Sequence, residues 1–455
     1  MSDVVCDSAP RLVLSVLTRL TALWLCSALV TACGDDDALT GDPVALRTAM
    51  VELGAATPVL PTTLSADDPK LRLGQALFFD KLLSGNRDIS CATCHHPVHA
   101  SADALPLSIG VGGQGLGPTR RQPPERPFIP RHAPEVFNRD AAEWVTMFWD
   151  RRVRQEAGQL TTPAGAALPP GLTHVLAVQA MFPVTSHAEM RGAPGDNEIA
   201  DAPDLPAVWQ ALMARLVAVP EYVTLFAAAF PQVPTGELSF AHAAEAIAAF
   251  EGTAFRAVDT PYDRFLAGDD GALTPEARRG AALFFGAGQC VRCHMGPLLS
   301  DQQVHVIGGP QLGPGKEGAA PDDLGGFGVS QQESERWAFR TPPLRNVELT
   351  APYMHAGAYR DLQAVVQHHF DPAAALSAYD VGQLPVPFQS HLLRDPAREA
   401  ALEVVLDSDL PTGMTPSDSE LTDLVAFLQA LTDPASHDLT AWLPASVPSG
   451  LPVVD

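Results

Sequence analysis

Apolar residues recur at helical spacing in two long stretches of the chain. Within residues 417–431 the apolar positions are 421, 424, 425, 428 and 431, and Ser417 with Glu420 forms a capping box at the start. Residues 240–255 form an Ala-rich stretch with large apolar residues at 247 and 250. No segment shows sustained strand alternation. The pattern therefore predicts a mainly α fold with long ordered loops.

A short apolar motif occurs twice. Residues 74–79 read Gly-Gln-Ala-Leu-Phe-Phe, and residues 280–285 read Gly-Ala-Ala-Leu-Phe-Phe. Before the second copy, Thr274-Pro275-Glu276 supplies an N-cap, a first-turn proline and an early acid. Each copy therefore predicts a helix, and the repeat predicts two similar units joined at residues 260–270.

Each copy is followed by a Cys-x-x-Cys-His motif. The motifs are Cys91-Ala-Thr-Cys94-His95 and Cys290-Val-Arg-Cys293-His294. This spacing is typical of covalent attachment of a c-type haem, with the histidine on the iron. The sequence therefore predicts two cytochrome c-like haem domains in tandem, residues 64–259 and 260–455. In each, we expect the later long helix to pack on the helix of the repeat.

Composition limits the classes of protein. The chain has 455 residues, 46% of them hydrophobic and 18% charged, with a formal net charge of −24. This excludes a disordered chain and argues against a general nucleic-acid binder. The length allows two or three domains.

The first 33 residues predict a lipoprotein signal peptide. A mostly apolar run over residues 12–30 ends in Val-Thr-Ala before Cys33, which resembles a lipobox in which the cysteine carries the lipid. The alternative is a transmembrane anchor, but Arg19 interrupts the run. Cys6 and Cys26 would be removed when the signal peptide is cleaved. We expect residues 34–63 to be a tether, and the protein to be a lipid-anchored lipoprotein on the periplasmic side of the cell envelope.

Five further motifs resemble those of one family. They are Phe148-Trp149-Asp150-Arg151, Gln179-Ala180, Glu189-Met190, Pro343-Leu344-Arg345-Asn346 and Thr350-Ala351-Pro352-Tyr353-Met354-His355. Together with the two haem motifs they resemble the signatures of the bacterial di-haem cytochrome c peroxidases and their MauG relatives. The resemblance covers residues 71–432, nearly the whole mature chain.

The resemblance implies roles for three residues. Glu189 matches the carboxylate over the peroxidatic haem held by His95, and Gln179 matches a distal glutamine. Splitting peroxide requires a base that moves a proton between its oxygens, which suits a carboxylate. Trp149 matches the tryptophan that couples the two haems. Residues 64–259 would then be the peroxidatic domain and residues 260–455 the electron-transfer domain.

At the second haem the chain departs from the family. The residue fourteen positions after the histidine of the Pro-Tyr-x-His motif is methionine in the peroxidases and tyrosine in MauG, and here it is His369. A His294/His369 pair would have a lower potential than a His/Met pair. The adjacent His368 is the competing ligand.

Two other departures concern the haem surroundings. The family's peroxidases have a loop histidine that blocks the peroxidatic iron, and residues 101–131 contain no histidine, which predicts an open iron. The family also has an inter-domain calcium bound through an asparagine, and His132 replaces it; imidazole is a poor ligand for this hard cation. The carbonyls of Thr350 and Pro352 remain as calcium ligands, so occupancy is open.

We expect a cytochrome-c peroxidase that reduces hydrogen peroxide to water with electrons from a small redox protein, a cytochrome c or a cupredoxin. A MauG-like oxidase acting on a protein substrate is the enzyme alternative, and a plain di-haem electron carrier is the other. Glu189 and Gln179 argue against the carrier, which needs no acid/base residue over an iron. Homodimerisation is left open.

Overall fold

The computed structural model describes residues 41–316 and 321–454, and the fold is mainly helical, as predicted. The signal peptide with Cys6, Cys26 and Cys33, and the first residues of the predicted tether, lie outside the described residues. The helices are α1 (Pro43–Glu52), α2 (Pro69–Phe79), α3 (Cys91–Cys94), α4 (Val175–Ala180), α5 (Leu205–Val217), α6 (Pro220–Ala229), α7 (Phe240–Ala254), α8 (Pro261–Leu266), α9 (Pro275–Phe285), α10 (Phe327–Ser330), α11 (Leu362–Phe370), α12 (Pro372–Ser377), α13 (Val386–Gln389), α14 (Pro396–Val404) and α15 (Asp418–Gln429).

Two small antiparallel sheets accompany the helices. Strands β1 (Thr146–Met147), β2 (Val153–Glu156) and β3 (Gln159–Thr161) form one sheet in that order. Strands β4 (Val304–His305) and β5 (Phe339–Arg340) form the other, with His305 opposite Phe339.

The first core is built on the crossing of α2 and α7. Phe78 and Phe79 of α2 pack against Phe250 of α7 with ring centroids 5.1 and 6.0 Å apart. A Cβ on Gly74 would overlap the carbonyl oxygen of Ala246. Glycine therefore lets the two backbones approach directly at the crossing.

The second core repeats this arrangement with α9 and α15. Phe284 packs against Phe427 at 5.1 Å, and a Cβ on Gly280 would overlap the carbonyl oxygen of Asp423. Gly74 and Gly280 occupy the same position of the sequence repeat. The sequence repeat therefore corresponds to two equivalent helix crossings, one in each core.

The predicted tether is wrong where the structure describes it. Residues 43–52 form α1, in which Leu46 and Met50 are buried in the second core. Arg47 forms an ion pair with Asp270 at 2.7 Å and lies over the ring of Phe265. Because these contacts cover the outer side of the second core, α1 is a packed element and not a free linker.

The C-terminal segment also departs from the predicted division at residue 260. Leu439 and Val447 are buried in the first core. Gln75 of α2 donates to the carbonyl of Trp442 at 3.0 Å, and the Ser449 hydroxyl donates to Asp80 at 2.6 Å. The last residues of the predicted second domain therefore pack on the first core.

The two Gly- and Pro-rich loops are held by arginines. Arg120 donates to the carbonyls of Ile109 and Gly110 at 2.8 and 2.9 Å, which fixes the loop of residues 110–130. Arg131 forms two hydrogen bonds with Asp323 at 2.6 and 2.9 Å, which ties residues 321–328 to the first unit.

Across the described ranges, no single helix is long and apolar enough to cross a membrane. One bent pair, α5 with α6 at 106°, satisfies the length and composition requirement when the two helices are taken together.

Candidate haem sites and the residues between them

The first haem motif lies at the edge of the first core. Cys91–Cys94 form α3, which Ser90 and Thr93 cap reciprocally. The Nδ1 of His95 donates to the carbonyl of Ser101 at 3.1 Å, so Nε2 is the nitrogen left for a ligand. Burial lowers the pKa of His95 to about 4. The imidazole is therefore neutral and oriented, as an axial iron ligand must be.

The histidine of the second motif is oriented in the same way as His95. Cys290–Arg292 form a short 3₁₀ turn, and the Nδ1 of His294 donates to the carbonyl of Leu299 at 3.0 Å. Burial lowers the pKa of His294 to about 4 as well. Both histidines thus present Nε2 with the tautomer fixed by a backbone carbonyl, and the donor sets fit two c-type haems.

His368 and His369, at the end of α11, differ in how many of their ring nitrogens are hydrogen-bonded. His368 uses both: Nε2 donates to the carbonyl of Ile307 at 2.7 Å, and Nδ1 accepts from the Tyr359 hydroxyl at 2.9 Å. His369 uses only Nδ1 among the described residues, and this nitrogen donates to the carbonyl of Val365 at 2.7 Å. A charge on His369 would lower the pKa of His294, so the two imidazoles are close in space.

Trp149 lies between the two units. Its side chain is 7% exposed, and Nε1 donates to the carbonyl of His132 at 3.0 Å. Its own carbonyl accepts from the backbone N–H of Arg340 in β5 at 2.8 Å. The indole is thus held by the first unit, and the Trp149 backbone is bonded to the second.

Gln179 and Glu189 are held by short helical segments of the first unit. Gln179 lies near the end of α4, and Glu189 lies on a single π-helical turn, His187–Arg191, a feature frequent at functional sites. The carbonyl of Glu189 accepts from the N–H of Val111 at 3.0 Å, so the 110–130 loop supports this turn. Within the described chain, neither the Gln179 amide nor the Glu189 carboxylate makes a side-chain hydrogen bond, which leaves both available to a ligand.

The charge state of Glu189 is set by opposing effects. Burial raises the pKa of its carboxyl, while Arg152, Lys316 and Arg131 lower it. The net pKa lies above the ordinary value of 4.5. A raised pKa makes this carboxyl better suited to accept and return a proton than an ordinary surface carboxylate.

The source of these positive charges is a buried cluster that the sequence analysis missed. Asp150, the neighbour of Trp149, forms ion pairs with Arg131, Arg152 and Lys316 at 2.8, 3.0 and 2.9 Å. Burial alone would raise the pKa of Asp150, but the three cations hold it well below the usual range. The cluster joins the tryptophan segment, the loop before it and the 308–328 loop of the second unit.

At the candidate calcium position, His132 is already engaged in hydrogen bonds. The Nδ1 of His132 donates to the carbonyl of Leu105 at 2.8 Å, and its backbone N–H donates to the carbonyl of His355 at 2.8 Å. His132 therefore acts as a hydrogen-bonding bridge. The carbonyls of Thr350 and Pro352 as calcium ligands stay a prediction.

One group of potential metal-binding side chains occurs in the described ranges, formed by Cys293, Asp301 and His305. Cys293 belongs to the second haem motif. His305 donates to Asp301 at 2.8 Å and to Asp407 at 2.6 Å. Burial would lower the pKa of His305, but its hydrogen bonds to Asp301, Cys293 and Asp407 raise it to about 11. We interpret this group as an ionic bridge beside the haem attachment and not as a metal site.

Comparisons with known proteins agree with this geometry. Residues 68–271 match the family model described as di-haem cytochrome c peroxidase. The chain is 32% identical over 358 residues to the methylamine utilization protein MauG of Methylorubrum extorquens, covering 76% of this chain and 80% of the relative. It is 33% identical over 294 residues to the cytochrome c551 peroxidase of Pseudomonas aeruginosa, covering 65% of this chain and 69% of the relative.

A solved structure gives the same result. A MauG-like protein associated with microbial copper homeostasis superposes with a TM-score of 0.58 at 27% identity, covering 84% of this chain and 94% of the other. These matches, two haem motifs and the two oriented histidines lead to one conclusion. The chain belongs to the di-haem cytochrome c peroxidase and MauG family, whose members bind two c-type haems.

Proposed function

We propose that this protein is a di-haem peroxidase that reduces hydrogen peroxide to water at the haem held by His95. Electrons would come from a small redox protein through the haem held by His294. The observation that carries the proposal is the Glu189 carboxyl, which has a raised pKa and no side-chain partner among the described residues. An electron carrier needs no such group, whereas peroxide cleavage does.

Glu189, Gln179 and Trp149 have different roles in the proposed reaction. A bound haem iron supplies the position at which peroxide binds and the electrons that reduce it. Glu189 would take a proton from one oxygen of the peroxide and return it to the leaving oxygen, so that water can depart. The Gln179 amide can orient the peroxide by hydrogen bonding without competing for the iron. Trp149, held at the boundary between the units, would couple the two haems electronically.

Access to the first iron also supports a peroxidase. Residues 101–131 contain no histidine, and Arg120 holds the 110–130 loop by hydrogen bonds to the carbonyls of Ile109 and Gly110. We infer that this iron keeps an open sixth position without prior reduction of the protein.

A second candidate is a MauG-like oxidase of a protein substrate, and His369 favours it. With Nε2 of His369 free, and both nitrogens of His368 engaged, we infer that His369 is the second axial ligand of the C-terminal haem. A bis-imidazole haem has a lower potential than a His/Met haem. Such a partner haem gives up electrons more readily, which would let the protein hold two oxidising equivalents.

The test compares Glu189→Gln with the parent holoprotein in stopped-flow mixing with hydrogen peroxide. The amide keeps the shape but cannot take the proton, so the rate of the haem reaction should fall by about 10² to 10⁴. Gln179→Asn is the matched control, because it alters peroxide orientation and leaves the base. If Glu189→Gln reacts as fast as the parent, the distal assignment is wrong. If the parent does not react with peroxide, the electron-carrier hypothesis replaces the enzyme hypothesis.

Steady-state turnover then separates the two enzyme candidates. Reduced cytochrome c and a reduced cupredoxin should each be tried as donor. Turnover with either supports the peroxidase. A haem reaction with peroxide but no turnover with either donor favours the oxidase.

We further propose that the protein is exported and anchored by lipid at Cys33. The support is the signal-like sequence of residues 1–33 and the two haem-attachment motifs. The predicted periplasmic location and any dimerisation remain parts of this proposal.

A further inference from the structure

A buried tyrosine is hydrogen-bonded to the histidine that precedes the candidate haem ligand. The Tyr359 hydroxyl and His368 Nδ1 are 2.9 Å apart. His368 Nε2 lies 2.7 Å from the carbonyl of Ile307, which can only accept. The ring proton of the neutral imidazole is therefore on Nε2. Nδ1 must accept, and the phenol must donate.

The pair is closely connected to the second haem site. Tyr359 and His368 have ring centroids 5.5 Å apart, and His368 and His369 have theirs 6.1 Å apart at 82°. Tyr379 packs edge-on against Tyr359 at 5.3 Å. These spacings lie within the contact range of ring pairs. A continuous row of rings thus runs from His369 to Tyr379.

Both phenols are shielded from solvent. Tyr359 is 5% exposed and Tyr379 is 6% exposed. The Tyr379 hydroxyl donates to the carbonyl of Ala358, and Arg394 lies 5.7 Å from the Tyr379 ring. Because water cannot reach Tyr359 readily, its proton has one place to go, the imidazole that already accepts its hydrogen bond.

We propose that Tyr359 is a redox-active residue that gives one electron to the oxidised haem pair and its proton to His368. The inference rests on the proposed function, because hydrogen peroxide acting at the first haem is the oxidant. The O–H bond of Tyr359 breaks and an N–H bond forms at Nδ1 of His368. The electron fills one of the two oxidising equivalents left by peroxide, and a neutral tyrosyl radical remains. An electron from the donor protein later restores the phenol, and the proton returns along the same hydrogen bond.

The Tyr359–His368 pair matters most when no electron-donor protein is bound to the enzyme. An oxidising equivalent resting on Tyr359, or shared with Tyr379, is moved away from the haems and into a buried phenol. Tyr379, beside the partly exposed Arg394, is the outer end of the row. Tyr359 and Tyr379 can therefore reduce the haems when no electron-donor protein is bound.

The experiment mixes the holoprotein with hydrogen peroxide in the absence of donor. Haem absorbance is followed by stopped flow, and samples are frozen for electron paramagnetic resonance. The chain contains five tyrosines, so assignment by substitution is practical. We expect an organic radical signal in the parent that Tyr359→Phe abolishes.

Tyr353→Phe is the matched control. Tyr353 pairs with Tyr359 through the backbone, but within the described residues its hydroxyl contacts no imidazole. The signal should survive this change. Growth of the parent on ring-deuterated tyrosine should narrow the signal, which tests the assignment without any substitution and therefore without any folding defect.

Two results would overturn the proposal: a signal that Tyr359→Phe leaves intact, or haem bands that change on mixing with no tyrosine radical in the parent. Haem bands that do not respond to peroxide would overturn the proposed function, and the relay would lose its oxidant with it. The optical record thus distinguishes the two failures.

Discussion

Replacing Asp150 with asparagine should destabilise the boundary between the units. Asp150 is buried, and its carboxylate meets Arg131, Arg152 and Lys316 within 3.0 Å. Removing one partner of a buried ion pair costs about 3–5 kcal/mol. Arg131 keeps Asp323, and asparagine keeps one acceptor oxygen, so we expect a loss of about 2–4 kcal/mol.

The assay is guanidinium unfolding of the holoprotein followed by far-ultraviolet circular dichroism. The control is Asp270→Asn, which removes an ion pair with Arg47 at 2.7 Å whose aspartate is 49% exposed. An exposed pair contributes about 0–1 kcal/mol. If the two variants lose the same free energy of unfolding, the cluster is not the inter-unit clamp that its geometry indicates.

The pH dependence gives an independent check. Because the folded-state pKa of Asp150 lies well below the ordinary value of 3.8, its stabilising contribution is complete above that value. The contribution is lost as the pH falls towards the folded-state pKa. The stability difference between parent and Asp150→Asn should therefore be constant near neutral pH and shrink below about pH 4.

Three further predictions concern the haems and the anchor. His369→Ala should convert the second haem from low to high spin in electron paramagnetic resonance, while His368→Ala should not; the reverse result would move the ligand by one residue. Trp149→Phe should slow reductive turnover and leave the first reaction with peroxide unchanged in stopped flow; equal slowing of both would point to a folding effect. Cys33→Ser should release the protein from the membrane fraction, while a pyridine haemochrome assay still gives two haems per chain; unchanged partition would refute the lipobox.

The helical cores were predictable because their signals are local. The stripe within residues 417–431 and the repeated glycine motif each lie within one helix, so spacing alone identified α15, α2 and α9. The Gly74 and Gly280 positions gain their meaning only from the structure, where each faces a backbone carbonyl of the partner helix.

The missed features depend on residues that are distant in sequence. Arg131, Asp150, Lys316 and Asp323 form one cluster across nearly two hundred positions, and no local pattern connects them. The helix α1 escaped prediction because it buries only two side chains, Leu46 and Met50, too few for a clear stripe. The hydrogen-bond partners of His368 and His369 likewise required coordinates.

The return of the C-terminal segment to the first core means that the chain's halves are not separable modules. Phe250 of α7 packs edge-on against Trp442 at 6.0 Å, so the first haem unit is completed by a residue nearly two hundred positions further along the sequence. A fragment ending near residue 260 would leave this aromatic face and Asp80 uncovered, and should aggregate instead of serving as a single-haem enzyme. During folding the first unit cannot close fully until residues 439–449 have packed on it. Because these residues follow α15 of the second core in the sequence, closure of the first unit is coupled to folding of the second.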